Sequence, residues 1–216
     1  MKAAIVIHLK AKSTRLKKKN FKKILNKPLF QITFDKIKHL RNTFDIYIDS
    51  SSQVFEKQAK KYKFHFLKRP EYLNGPHAQG NELIKNCFKK IQNEIVFILH
   101  VTNPFIKTTT IQKCVNFLKK NKKYNSVTPL TPKYERFWFK NKEVNHKYNK
   151  LIGSQYLTPL YVESGSYCFR RDSFLRENSR IAKKNHFIYL NHIESVDIDN
   201  ELDFIFAETL IRKFKL

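Results

Sequence analysis

Up to residue 120 the chain alternates short apolar runs with helical patterns, and this alternation constrains the fold most. The runs are Ala3 to His8, Asp45 to Asp49, Phe64 to Leu67 and Glu94 to His100. Ile95-Val96-Phe97-Ile98-Leu99 has no polar side to show to water, so it needs cover on both faces. Between the runs come apolar faces at helical spacing. Leu29, Ile32, Ile37 and Leu40 follow Pro28, and Val54, Gln58, Ala59 and Tyr62 follow a candidate cap in Ser50-Ser51-Ser52. Leu83, Ile84, Cys87, Phe88 and Ile91 form a third face, and Ile111, Val115 and Leu118 a fourth, capped by Thr108 to Thr110. Four βα units in a row predict a mostly parallel sheet with helices on both faces and ligands at the carboxyl ends of its strands.

The rhythm breaks after residue 126. Ser126 to Leu130 reads as a strand, Glu135 to Lys140 carries three aromatics, and Tyr161 to Phe169 reads as one strand. Residues 131–162 are therefore expected to form a hairpin excursion within a single domain spanning 1–216. Phe187 to Leu190 and Glu194 to Asp199 are late strands. The last helix, from about Asn200 to Phe214, turns Leu202, Ile205, Phe206, Leu210 and Ile211 inward.

The formal charge is +25. Lysines fall on nearly every segment, which describes a lysine-rich surface with a general preference for anions. A nucleic-acid-binding module is the alternative of another class, but no nucleic-acid motif can be placed. Three widely spaced cysteines fit neither a zinc site nor a disulfide framework and suit a reducing cytoplasm. No apolar run is long enough to span a membrane.

Four motifs carry candidate chemistry. The loop after the first strand holds Lys10, Lys12, Arg15, Lys17, Lys18 and Lys19, cations suited to a triphosphate, yet it is not a P-loop. Asp197-Ile198-Asp199 places two carboxylates on one side of an extended chain, where Mg²⁺ would relieve their repulsion. The same stretch also admits a plain helix cap at Asp199 or Asn200. His100 to Pro104 puts polar groups at the end of a buried strand, and Gly165 in Glu163-Ser164-Gly165-Ser166 marks close approach or a bulge.

Together these motifs resemble the acylneuraminate (CMP-sialic acid synthetase-like) cytidylyltransferase family over nearly the whole chain. Leu9-Lys10-Ala11-Lys12-Ser13-Thr14 and Lys19-Asn20 are similar to its Ala-Arg-Gly-Gly-Ser-Lys and Lys-Asn. Leu25 to Leu29, Arg69-Pro70 with Leu73, Leu99 to Phe105, Gln155 and Ser164-Gly165-Ser166 resemble further family segments. Ser195-Val196-Asp197-Ile198-Asp199 matches the family's Ser-x-Asp-Ile-Asp signature, the most specific of these.

The resemblance implies a Rossmann-like α/β nucleotidyltransferase that joins CMP from CTP to an acidic sugar and releases pyrophosphate, for surface-glycan synthesis. It implies nucleotide contacts at Leu9, Lys10, Ala11, Ser13, Arg15, Lys19, Asn20, Arg69 and Gln79. Asp197 and Asp199 would hold Mg²⁺ and, with Lys10 and Lys19, form the catalytic set. His100, Thr102, Asn103, Gln155, Glu163, Ser164 and Gly165 would meet the acceptor. The excursion resembles the family's dimerisation region and implies a homodimer. The chain departs from the pattern where Lys10 replaces arginine, Ala11 and Lys12 replace the loop glycines, Thr14 replaces lysine, and His100 replaces glutamine. A phosphate- or phosphonate-bearing acceptor is the alternative within the same fold, and an inactive relative is another.

Overall fold

A computed structural model of the chain describes residues 2–11, 16–75 and 77–214. Its first half holds β1 (Ala3–His8), the hairpin β2 (Lys23–Ile24) and β3 (Lys27–Pro28), α1 (Leu29–Ile37), β4 (Phe44–Ser50), α2 (Gln53–Tyr62), β5 (His65–Lys68), α3 (Gly80–Cys87), β6 (Ile95–Ile98) and α4 (Thr108–Lys120). Then come β7 (Ser126–Lys133), the small hairpin β8 (Trp138–Phe139) and β9 (Lys142–Glu143), β10 (Leu160–Glu163), β11 (Tyr167–Arg170), α5 (Arg171–Glu177), β12 (Asn185–Tyr189) and α6 (Glu201–Phe214).

The main sheet runs β10-β7-β11-β6-β1-β4-β5, with β12 also on β7. β1, β4, β5 and β6 are parallel, and β11 enters antiparallel between β6 and β7. Side chains alternate across the sheet. Ala3, Ile5 and Ile7 pack with Phe34, Phe55 and Val115 of α1, α2 and α4 on one face. Ala4 and Val6 pack with Ile84, Cys87 and Phe174 of α3 and α5 on the other. Burying a phenylalanine such as Phe34 or Phe55 stabilises the fold by about 1.5–3 kcal/mol. All three cysteines are buried free thiols. No helix among the described residues is long and apolar enough to cross a membrane.

Several local expectations change. Val54 is exposed because Phe55 takes the inward position, stacked on Phe21 with ring centroids 5.0 Å apart. Ser52 sits at the α2 N-cap but makes no side-chain cap bond. Lys107 occupies the α4 N-cap, and distant Glu194 supplies the acceptor, taking the Lys107 amide at 3.0 Å and the Thr110 hydroxyl at 2.6 Å.

The expected strand over Tyr161 to Phe169 is two strands, divided where Gly165 adopts φ +77°. Glu194 to Asp199 forms no strand: a turn leads into an extended segment pinned by the Ile198 amide on the Thr102 carbonyl at 2.8 Å. On α6, Phe204, Ala207, Leu210 and Ile211 face Ile24, Leu29, Phe105 and Ile198, which leaves Leu202, Ile205 and Phe206 exposed. The helix phase is fixed at its start, where the Asn200 side-chain oxygen Oδ1 accepts from the Asp203 amide and the Asp203 carboxylate accepts from the Asn200 and Asp199 amides. The cap is therefore Asn200.

Candidate active site

Strand register lays a polar row along the carboxyl rim of the sheet. His8 on β1 lies opposite Asp49 on β4. Val6 lies opposite Ile98, which carries the register on to His100, and Ile98 lies opposite Tyr167, which carries it on to Gly165. With side chains alternating every residue, His8, Asp49, Arg69 and His100 continue the face of Val6, Tyr47, Leu67 and Ile98. The face is apolar along the strands and polar at their ends.

At one end of the row, Asp49 and Arg69 are a fully buried ion pair. Arg69 donates Nε and a terminal nitrogen to Asp49 Oδ2 at 2.9 and 2.6 Å, and that nitrogen also donates to the Asp49 main-chain oxygen at 2.8 Å. His8 Nδ1 lies 2.7 Å from the same Oδ2. Burial pushes the Asp49 carboxyl up, but the bonds and charges of His8 and Arg69 outweigh it and hold it below the usual range. The donor atoms of His8, Asp49 and Cys87 lie within 4.8 Å of one another. Arg69 already supplies the positive charge there, so this is an ion-pair core rather than a metal centre.

The basic loop leaves this row and closes on the C-terminal aspartates. Lys10 Nζ donates to the Gly75 carbonyl at 3.0 Å, and Asn20 donates to the Lys10 carbonyl at 2.8 Å. Burial first, then the Arg69 charge, lowers the Lys10 ammonium below its ordinary value. Lys19 Nζ donates to the Ile198 carbonyl at 2.6 Å and to Asp199 Oδ1 at 3.2 Å. Leu9 is buried, its amide on the Asp49 carbonyl, and Ala11 is exposed. Ser13 and Arg15 lie outside the described residues.

Asp197, Gly165 and His100 converge. A Cβ on Gly165 would sit 3.8 Å from both Asp197 Oδ2 and His100 Nδ1. His100 is pushed down to about 4, chiefly by burial, then by the His8, Arg180 and Lys19 charges, with Asp199 opposing. It is therefore neutral at physiological pH and offers one donor and one acceptor.

The aspartate segment is held by Asn103, whose amide donates to the Val196 carbonyl at 2.8 Å and whose oxygen accepts from Ser166 at 3.4 Å. Asn103 and Thr102 thus position the site. Ser164 is buried and its hydroxyl accepts the Ser166 amide. Asp197 and Asp199 flank buried Ile198 and offer hard oxygen donors, the kind Mg²⁺ would take.

Gln155 and Gln79 stand apart. The Gln155 amide folds back over Gly153 on the exposed excursion. Gln79 caps α3, its amide bonded to Glu82 at 2.8 Å. Sequence reasoning missed His8, Tyr167 and Arg180. For His8 the signal was available, since a histidine and an aspartate end neighbouring strands. Arg180 has no such signal, because it follows α5 and reaches the site through space. Its guanidinium lies over the Tyr167 ring at 4.5 Å, and Tyr167 donates to Glu163 at 2.7 Å.

A mostly parallel α/β sheet, with Lys19 of the basic loop on Asp199 at its carboxyl rim, is the arrangement of a Rossmann-like nucleotidyltransferase. The chain belongs to the cytidylyltransferase family, whose model, described as Cytidylyltransferase, matches residues 4–210.

It is 24% identical to the N-acylneuraminate cytidylyltransferase of Escherichia coli O18:K1:H7, over 98% of this chain and 52% of that protein. It is 24% identical to the post-translational flagellin modification protein B of Campylobacter coli, over 94% of this chain and 92% of that one. The chain thus spans about half the length of the E. coli relative. Among solved structures it is similar to a CMP:2-keto-3-deoxy-manno-octonic acid synthetase complexed with CTP. There the TM-score is 0.73 at 13% identity, covering 99% of this chain and 100% of the other.

Proposed function

We propose that this protein is an Mg²⁺-dependent cytidylyltransferase that joins CMP from CTP to an acidic sugar of the nonulosonic or a related class, releasing pyrophosphate. One observation carries the proposal: Asp197 lies beside Gly165 and His100, while Lys19 bridges to Asp199 from the basic loop. The likeness to an N-acylneuraminate cytidylyltransferase supports an acidic acceptor.

In this account Lys10, Lys19 and the loop amides hold the triphosphate, and Asp197 and Asp199 hold the metal. When bound, Mg²⁺ supplies charge neutralisation on the phosphate oxygens. An acceptor hydroxyl oxygen attacks the α-phosphorus, forming the new P–O bond as the bond to pyrophosphate breaks. The hydroxyl proton leaves to a carboxylate or to water. Neutral His100 orients the acceptor by hydrogen bonding, and Gly165 leaves room for close approach. Most of the rate enhancement comes from positioning and charge.

The same protein is proposed to work as a homodimer through the excursion, where Trp138, Phe139, Tyr148 and Leu151 are all more than half exposed. Pyrophosphate release should be measured with each of the four nucleoside triphosphates and a panel of acidic sugars. Turnover with CTP and an acidic sugar supports the proposal. Turnover only with a phosphate- or phosphonate-bearing acceptor redirects it, and no turnover with any pair refutes it.

A further inference from the structure

Resting on the acidic-sugar reading above, we infer that Arg180 is the anchor for the acceptor's carboxylate and sets the enzyme's preference for acidic over neutral sugars. An acidic acceptor brings a negative charge into a cleft that already holds Asp197 and Asp199, so it needs a cation that those aspartates do not consume. Lys19 is committed to Asp199 and to the Ile198 carbonyl. Arg69 is sealed against Asp49. Lys10 turns to the Gly75 carbonyl on the nucleotide side.

Arg180 forms no ion pair among the described residues, and it is half-buried. Its position is fixed from two sides. The guanidinium carbon lies over the Tyr167 ring, 4.5 Å from its centroid, and the Tyr167 hydroxyl is tied to Glu163. The guanidinium also approaches α3 at Gly80, where an added Cβ would come within 2.9 Å of a terminal nitrogen and 3.2 Å of Cζ. A side chain at position 80 would push the guanidinium from this position.

It also belongs electrostatically to the acceptor end of the cleft. Arg180 is among the charges that depress His100. Tyr167, raised to about 12 by burial first and the Glu163 bond and charge next, feels Arg180 and Asp197 with opposite signs. A guanidinium is planar and carries five N–H donors, a fork that can take a carboxylate through two parallel bonds. The cradle is made by this chain's own Gly80, Tyr167 and Glu163.

The test compares the acidic sugar with its carboxamide analogue in wild type, Arg180→Gln, Arg180→Lys and Gly80→Ala. Wild type should prefer the carboxylate by at least about 30-fold in kcat/KM, the worth of a charge-assisted pair. In Arg180→Gln that preference should fall to about 3-fold or less, through KM for the sugar, with KM for CTP moving less than about 3-fold. Arg180→Lys should restore part of it. Gly80→Ala, which favours the start of α3 by propensity, should raise sugar KM several-fold by displacing the guanidinium. If Arg180→Gln turns over and keeps the wild-type preference, the assignment is overturned while the acidic-sugar reading stands. If wild type turns over no carboxylated sugar, both fall. Thermal unfolding of Arg180→Gln within a few degrees of wild type shows that the lost preference is not lost folding.

Discussion

Removing the Asp49 carboxylate should cost far more stability than a single surface charge. Arg69 is fully buried and makes three bonds to Asp49, two of them to the carboxylate. One of its terminal nitrogens already lacks a partner among the described residues. In Asp49→Ala the guanidinium keeps only the main-chain oxygen, so a buried cation is left without its counter-charge. Breaking a buried pair this way costs about 3–5 kcal/mol. With a urea slope of about 2–3 kcal/mol per molar, the midpoint should fall by about 1–2 M.

Asp49→Asn should cost nearly as much, since it keeps the shape and removes the charge. Adding Arg69→Met to Asp49→Ala should recover at least about 2 kcal/mol, the coupling expected of residues in direct contact. The effect should also depend on pH. The Asp49 carboxyl is held below its unfolded value of about 3.9, so its stabilisation is complete above that pH and is lost as pH falls through the folded value. Equilibrium urea unfolding at pH 7 and pH 3 measures both effects. A loss under about 1 kcal/mol at pH 7, or a double mutant no better than the single, refutes the reasoning.

Other consequences can be checked in parallel. His100 binds its proton near pH 4 when folded and near 6.5 when unfolded, so the unfolded chain takes up the proton first and stability falls as pH drops between those values. The imidazole keeps some exposure, and screening trims the effect to about 2 kcal/mol; His100→Gln should flatten that part of a pH–stability profile. Asp197→Asn and Asp199→Asn should each weaken Mg²⁺-dependent CTP binding and lower kcat by at least about 100-fold, while unfolding midpoints move little because neither side chain is buried. Calorimetric titration with and without Mg²⁺ separates the two effects. Gly165→Ala should lose about 1–2 kcal/mol from its left-handed backbone and raise acceptor KM at least about 10-fold. Trp138→Asp with Phe139→Asp should shift sedimentation from dimer to monomer.

The fold was legible where chemistry is local and periodic. Short apolar runs alternating with helical faces define β1, β4, β5 and β6 and the helices between them, and the parallel sheet follows from their order. What escaped was set by contacts across the chain. The α6 face turned on which stripe meets Ile198 and Ile24, a choice that periodicity leaves open between two apolar stripes. The α4 cap came from Glu194, 84 residues beyond Thr110. The Asp197 segment looked like a strand because it alternates, but among the described residues no strand pairs with it.

At the site, the Asp-x-Asp pair and the basic loop were visible as spacing and charge. The His8–Asp49–Arg69 row needed the register of three strands, and Arg180 needed Tyr167 beneath it.

The central claim is that this cleft transfers a cytidylyl group to an acidic sugar, and following the α-phosphate tests it most directly. The protein should be incubated with Mg²⁺, an acidic nine-carbon sugar and CTP labelled at the α-phosphate, and the products resolved by mass and radioactivity. The account predicts that the label moves to a species with the mass of the sugar plus CMP less water, in step with unlabelled pyrophosphate, and that Asp197→Asn abolishes the transfer. Label that stays in CTP, or appears only as free CMP with every acidic sugar offered, would contradict it.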